Sequence, residues 1–242
     1  MKLLLTSSGI NNSELEQAFS ELTGNRKGLK MVIIHTASDP INWVPETPGS
    51  KKFIAKIDES KIEKNKKWLE SYAKNFTDKG YRVTLIDLKT DSDEIREKLQ
   101  NVDVIDVTGG DVNYLLDWAK KAKLGDYLKN LLDRGVVYIG ASAGNGLVMP
   151  DIGLTWWEPA SSTDGPTDTE DHVGFGIVDF VLVPHQKETD ERSNEANLIK
   201  RKKYLQSLIS FPWKVYLLQD GQAVKVNGDK IEYIGQGVKK FI

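Results

Sequence analysis

The sequence predicts an α/β protein: a three-layer αβα sandwich with a mainly parallel sheet and an antiparallel edge from the C-terminal end. Three observations carry that expectation. From residue 1 to about residue 150, short apolar runs alternate with stretches of helical periodicity, the pattern of strand–helix units whose strands lie parallel. The runs are uninterrupted, as in Met31-Val32-Ile33-Ile34, and read as buried strands. Beyond Val215, strands alternate with turns at Asp220-Gly221, Asn227-Gly228 and Gly235. Asn227-Gly228 is a strong two-residue hairpin signal, and an antiparallel edge on a parallel sheet is common.

Each element has its own warrant. Lys2 to Thr6 is the first strand. Ser13 and Glu16 form a capping box ahead of Leu15, Ala18, Phe19 and Leu22, and Gly24 closes that helix. Lys30 to His35 is the second strand. Thr36 to Gly49, polar and proline-containing, reads as a loop at a strand's C-terminal end. Lys61 to Lys79 is helical, with Trp68, Tyr72 and Phe76 four apart on one face, expected to pack on the sheet, and Gly80 as a stop. Tyr81 to Leu88 is a strand, Asp91 to Gln100 a helix with an acidic first turn, and Val102 to Thr108 a strand. Helices follow around Tyr114 to Trp118 and Asp126 to Arg134, the latter ending at Gly135. Val136 to Ile139 is the next strand. The stretch from Pro150 to Gly176 breaks the pattern with Trp156-Trp157, prolines and acids; long loops of this kind are often lids or binding loops. Phe180 to Pro184 is a strand. Ser193 to Ser210 is a helix with Leu198, Ile199, Leu205 and Leu208 inward and Lys200-Arg201-Lys202-Lys203 on a solvated face.

Composition narrows the function classes. The chain has 242 residues, 39% hydrophobic and 28% charged, with a formal net charge of −2. That suits one soluble α/β domain over residues 1–242 and gives no footprint for nucleic acid or an anionic membrane. There are no cysteines, which excludes disulfides, thiolate metal sites and a cysteine nucleophile. The apolar start Leu3-Leu4-Leu5 is too short for a signal peptide, and no apolar run approaches about 18 residues. The expected home is the cytoplasm, with no metal and no organic cofactor.

Chemistry concentrates at Gly140-Ala141-Ser142-Ala143-Gly144, which follows a buried strand and fits the G-x-S-x-G nucleophile elbow. A serine on a sharp strand-to-helix turn projects its hydroxyl above the sheet, and its neighbours must be small. Here two on each side are Gly or Ala. The Ala143 amide, opening the next helix, would face an oxyanion. Gly109-Gly110, also just past a buried strand, let backbone amides approach a ligand closely and would complete the oxyanion hole. A serine nucleophile needs a base, and the base an orienting carboxylate. The histidines are His35, at a strand end; His172, in the acidic loop; and His185, just beyond Val181-Leu182-Val183-Pro184. His185, on the elbow's edge of the sheet, is well placed as the base. Asp220 or Glu158 could orient it.

Together, Thr108-Gly109-Gly110-Asp111, Gly140-Ala141-Ser142-Ala143-Gly144 and Val183-Pro184-His185 resemble the motifs of the S51 serine peptidases, the dipeptidase E family. These carry Gly-Gly-Asn, then Gly-x-Ser-Ala-Gly, then Asn-Pro-His, in the same order. The resemblance runs over nearly the whole chain. It implies a fold like the class I glutamine amidotransferases, with serine in place of their cysteine, and a Ser-His-Glu or Ser-His-Asp triad. By that resemblance Ser142 is the nucleophile and His185 the base. The family's glutamate, in a Leu-x-Glu-Gly turn, falls on Asp220 in Leu218-Gln219-Asp220-Gly221, one methylene shorter.

Two departures bear on substrate choice. A second family carboxylate, an Asp between the serine and the histidine, has Trp157 as its nearest match, with Glu158 beside it. The aspartyl-specific members carry Gly-Glu-Thr-Arg after the histidine, whose Arg would pair an acidic substrate side chain. The nearest stretches here, Lys187-Glu188-Thr189-Asp190 and Asn194-Glu195-Ala196-Asn197, lack that Arg, so strict preference for an N-terminal Asp is not expected. Lys187 and Arg192 are the cations that could replace it. The acids Asp164, Asp168, Glu170 and Asp171 read as solvated. The expectation is a serine-type peptidase that cleaves small peptides through an acyl-enzyme on Ser142, with a homodimer compatible with it. A related amide or ester hydrolase, or a catalytically silent binding module of the same fold, stays open.

Overall fold

The computed structural model describes residues 1–48, 50, 53–155 and 172–242. Five parallel strands form its spine: β1 (Lys2–Thr6), β2 (Lys30–Ile34), β5 (Arg82–Ile86), β6 (Val104–Val107) and β7 (Val137–Ala141), in spatial order β1-β7-β6-β2-β5. β10 (Ala223–Asn227) pairs antiparallel with β1, and β11 (Lys230–Ile234) with β10, giving the expected C-terminal edge. The two-residue turn between them is Gly228-Asp229, one residue later than expected, because Asn227 still pairs with Lys230 at the end of β10. β8 (Phe180–Val183), β9 (Lys214–Leu217) and β12 (Lys240–Phe241) form a separate three-stranded sheet, β8 and β9 parallel.

Alternation along the buried strands makes the three layers. Leu4, Met31, Ile33, Val104, Val137 and Ile139 point to one face, where they pack on Leu15, Phe19 and Leu22 of α1 (Ser13–Thr23) and Phe76 of α2 (Ile62–Asp78). Leu3, Leu5, Val32, Ile34, Ile105 and Val107 point to the other. There they meet α3 (Ser92–Leu99), α4 (Val112–Lys121) and α5 (Leu124–Asp133) through Ile95, Leu115, Leu116, Leu128 and Leu131. Each such leucine or isoleucine, fully buried, contributes about 1.5–3 kcal/mol of transfer free energy.

Several expectations shift in detail. Asn12, not Ser13, caps α1: its side chain accepts the Leu15 N–H at 3.0 Å. The stretch read as loop, Thr36 to Gly49, holds a 3-10 turn (Thr36–Ser38) and β3 (Ile41–Pro45), which pairs with β4 (Phe53–Ile57) as an antiparallel two-stranded sheet. Pro45 is tolerated there because it ends the strand. The aromatic stripe of α2 runs from buried Phe76 through Tyr72, whose hydroxyl donates to Asp106 at 2.8 Å, to exposed Trp68. In α6 (Glu195–Leu208), Leu198 and Leu205 are buried, whereas Ile199 and Leu208 are exposed. Arg201 falls three after the first and four before the second, so it shares their inward face rather than the solvated one.

The turn after β7 is the correction that matters most. An α-helix was expected; a six-residue 3-10 turn, Ser142–Leu147, is present. Its Gly and Asn content disfavours an α-helix, and close packing dictates the glycine: a Cβ on Gly144 would lie 2.2 Å from the Val107 carbonyl oxygen. The buried side chain of Asn145 donates to the Thr6 carbonyl at 2.9 Å, and Tyr138 donates its hydroxyl to the Gly144 carbonyl at 2.6 Å. The elbow is thus fastened to β1 and β7, and the dipole of a long helix plays no part in it.

Candidate active site

The C-terminal ends of four strands converge on one point. Ser142 leaves β7 with a φ of +50°, and His185, two residues past β8, has a φ of +56°. Non-glycine residues in this region carry strain that the surrounding structure must hold, and such residues cluster at functional sites. The His185 Nε2 lies 2.8 Å from the Ser142 Oγ, and its Nδ1 lies 2.7 Å from Asp220 Oδ1. With Asp220 as acceptor, Nδ1 carries the proton, and Nε2 is left to accept the Ser142 hydroxyl. Burial tends to raise the Asp220 carboxyl, but hydrogen bonds from His185 and Ser7 outweigh it and hold the group below the ordinary carboxylate range.

Ser7, just past β1, was not singled out by sequence. Its Oγ accepts the His185 backbone N–H at 2.8 Å and lies 3.0 Å from Asp220 Oδ1, as donor. One hydroxyl therefore fixes both the unusual backbone of the histidine and the carboxylate that orients its ring. The only sequence signal was position: Ser7 stands at the strand-end edge shared by Ser142 and His185.

A cavity of about 380 Å³ opens over these groups, within the range of small-molecule sites. Ser142, Ala143, His185 and Gly110 line it. Gly110 has a φ of +143°, and a Cβ there would lie 1.7 Å from the Ala37 carbonyl oxygen, so no other residue fits. Gly109 packs behind the elbow: a Cβ on it would meet Ser142 Cβ at 3.2 Å. The structure thus brings together Ser142, His185, Asp220, Gly110 and Ala143, with Gly109 as the spacer between loop and elbow.

The lining also carries charge: Lys187, Arg192 and Arg201 belong to it, with Asp190. Arg192 is held by Asp190 through Nε and a terminal nitrogen, both at 3.2 Å. Arg201, expected in solvent, donates to the Leu154 carbonyl at 2.9 Å, and burial pushes its pKa down to about 10, still a cation at neutral pH. Its signal was helical phase, hidden inside a basic run.

The remaining candidates lie elsewhere. His35 stands at the end of β2 beside Asp87, Asp39 and Lys89, outside the cavity lining; burial lowers its pKa. His172 is buried, and its carbonyl accepts the Ile152 N–H at 2.9 Å. Trp156, Trp157, Glu158, Asp164, Asp168, Glu170 and Asp171 lie outside the described residues. Among the described residues, no group of three or more His, Asp and Glu is arranged to hold a metal ion, and no helix is long and apolar enough to cross a membrane.

Comparison with known proteins supplies the context. The model of peptidase family S51 matches residues 3–234. An uncharacterised peptidase of Listeria monocytogenes is 30% identical over 188 residues, 77% of this chain and 78% of that protein. A peptidase E of Nostoc is 28% identical over 169 residues, 69% of this chain and 65% of that one. Among solved structures, a putative peptidase E of Listeria monocytogenes superposes with a TM-score of 0.62 at 24% identity, covering 98% of both chains. A peptidase from an acI-B1 actinobacterium superposes with a TM-score of 0.64 at 18% identity, covering all of this chain and 93% of that one. At those identities the two structures speak for the fold, a mainly parallel α/β sandwich of the glutamine amidotransferase type.

Proposed function

The chain belongs to peptidase family S51, and from that footing we propose that it cleaves small peptides through an acyl-enzyme formed on Ser142. What supports this is the chain of two short hydrogen bonds, Asp220 to His185 at 2.7 Å and His185 to Ser142 at 2.8 Å, with Ser142 and His185 lining a cavity of about 380 Å³.

The steps follow from that arrangement. Ser142 Oγ attacks the scissile carbonyl carbon while its proton passes to His185 Nε2. The imidazolium that forms is stabilised by Asp220, which stays ionised. The carbonyl oxygen becomes an oxyanion, received by the backbone amides of Gly110 and Ala143. As the tetrahedral intermediate collapses, His185 gives the proton to the departing amine, leaving an ester on Ser142. Water then adds to the ester with His185 again as base, and the acid product leaves. We assign the orienting role to Asp220 rather than Glu158.

Substrate choice is the finer part of the proposal. Strict selection of an N-terminal Asp needs a dedicated cation, since an unpaired buried carboxylate costs several kcal/mol, to order of magnitude. Arg192 is neutralised by Asp190, and the positions nearest the family's Arg are Asp190 and Asn197, neither of them a cation. The proposed substrates are therefore short peptides without strict acidic preference, met in the cytoplasm. Arg201 is the residue that could overturn this. The test is kcat/KM for Asp-Leu, Ala-Leu and Lys-Leu dipeptides. A preference for Asp-Leu of about tenfold or more, roughly 1.4 kcal/mol in the transition state, abolished in Arg201→Gln, would move the specificity assignment to Arg201. Labelling by a fluorophosphonate, lost in Ser142→Ala, tests the nucleophile itself.

A further inference from the structure

The β3–β4 hairpin is a separate two-stranded sheet, yet it reaches the loop that holds Gly110. The indole N–H of Trp43, in β3, donates to Asp111 Oδ2 at 2.7 Å. The other carboxylate oxygen accepts the Tyr114 N–H at 2.8 Å, as the cap of α4. The Asp111 N–H donates to the Ala37 carbonyl at 2.9 Å, the same oxygen that leaves Gly110 no room for a Cβ. Asp111 is therefore held on three sides, by the hairpin, by α4 and by the 3-10 turn at Thr36–Ser38, and it is the residue next to Gly110.

We propose that Trp43 is a positioning residue for the oxyanion hole, its indole N–H holding the Asp111 carboxylate so that Gly110 keeps its backbone conformation beside the cavity it lines. The inference rests on the reading of Ser142 as nucleophile and Gly110 as oxyanion donor. Two requirements meet at Asp111. Its two oxygens face two N–H donors, so an acceptor-only side chain suits the place. A carboxylate this close to a developing oxyanion would oppose it electrostatically unless donors absorb its charge, which the capped helix and the indole do.

The donor count yields a signed test. Asp111→Asn keeps the cap, because Asn serves as well as Asp at that position, but it turns an NH2 toward the Trp43 N–H, donor against donor. Trp43→Phe removes the indole donor and leaves one carboxylate oxygen unpaired. Combining the two deletes the same bond from both ends. The measurement is the second-order rate at which a fluorophosphonate labels Ser142, in which the serine oxygen bonds to phosphorus, fluoride leaves and the hydroxyl proton passes to His185. Each single variant should label about tenfold more slowly, a part of the about 10²–10³ lost when an oxyanion donor is deleted outright. The double variant should label no more slowly than the slower single, because both changes delete the same bond, with the pH at half-maximal labelling unchanged in all, since the triad is untouched. All rates are taken well below the thermal midpoint of each variant.

Single variants that label at the wild-type rate overturn the role of Trp43 while leaving Ser142 as nucleophile. A double variant slower than either single makes Trp43 mere packing and also overturns it. A wild-type protein that is never labelled overturns the reading of Ser142 and this inference with it. If Trp43→Phe does not fold, Asp111→Asn decides alone: a rate within about twofold of wild type overturns the proposal.

Discussion

The two sides of the site are built differently. On the side proposed to be catalytic, Ser7, Ser142, His185 and Asp220 stand just past the ends of β1, β7, β8 and β9. Two of them are held in left-handed backbone, and their mutual bonds span 178 and 213 residues of sequence. On the cationic side, Lys187, Arg192 and Arg201 come from the segment after β8 and from α6, and the ion pair there joins residues two apart. Long-range bonds between sheet ends are ordered by the core, whereas contacts between near neighbours can rearrange alone. The difference teaches that changes on the first side should act on kcat, and changes on the second on KM and on the choice of substrate.

The largest effect should come from Ser142→Ala, which removes the proposed nucleophile but only one oxygen from the fold. Turnover of an established dipeptide substrate should fall by at least about 10⁴-fold, with an unchanged thermal midpoint. The partition between the two sides fails if that variant keeps wild-type kcat.

Next is the coupling within the catalytic side. His185→Ala with Asp220→Ala should be about as slow as His185→Ala alone, because members of a triad act as a unit. If Asp220→Asn turns over near the wild-type rate while Glu158→Gln is strongly impaired, Glu158 takes the orienting role and the boundary between the sides must be redrawn.

Ser7→Ala should be milder, lowering kcat about tenfold with little change in KM, as one hydrogen-bond partner of a charged group is worth about 1.5–3 kcal/mol. It also carries a pH signature. The Asp220 carboxyl is held below its ordinary value in the folded protein. Its contribution to stability is therefore present above the unfolded value and is lost as pH falls through the lowered folded value. Deleting the Ser7 donor should shift that acid loss to higher pH, read as the midpoint of acid unfolding. Asp220 is substantially exposed, so the shift is small once screened by solvent.

The smallest catalytic effect belongs to the cationic side. Arg201→Gln should leave kcat for Ala-Leu within about twofold of wild type and alter KM only for substrates bearing an extra carboxylate. A tenfold loss of kcat on Ala-Leu would show that the cationic side holds the chemistry and not just the ligand.

Legibility in the sequence divided along similar lines. The spine of the sheet was readable because strands buried on both faces are uninterrupted apolar runs, as in Met31-Val32-Ile33-Ile34. The elbow is readable because close packing permits only small residues around Ser142, and His185 because it follows the apolar run ending at Pro184; Asp220, beyond Leu218-Gln219, is singled out over Glu158 only by the family's Leu-x-Glu-Gly turn. The β3–β4 hairpin was not readable, since Pro40, Pro45 and polar neighbours hide its alternation. Ser7 escaped notice because a serine that accepts a backbone N–H leaves no pattern, and Ser8 stands beside it. Arg201 sat within four consecutive basic residues, where only its phase relative to Leu198 and Leu205 separates it from its solvated neighbours.

β1 has one more consequence, which concerns the making of the protein. It is hydrogen-bonded to β7 on one side and to β10 on the other, so the middle of the sheet cannot close until nearly the whole chain has been made. The partners of the Ser7 hydroxyl, His185 and Asp220, are also synthesised late. At about 5–20 residues per second, several seconds pass between the appearance of Ser142 and that of Asp220. Until both His185 and Asp220 have been made, Ser142 lacks the chain of hydrogen bonds it joins in the folded protein. A chain cut short before β8 therefore has the elbow but none of the hydrogen bonds that join it to His185 and Asp220.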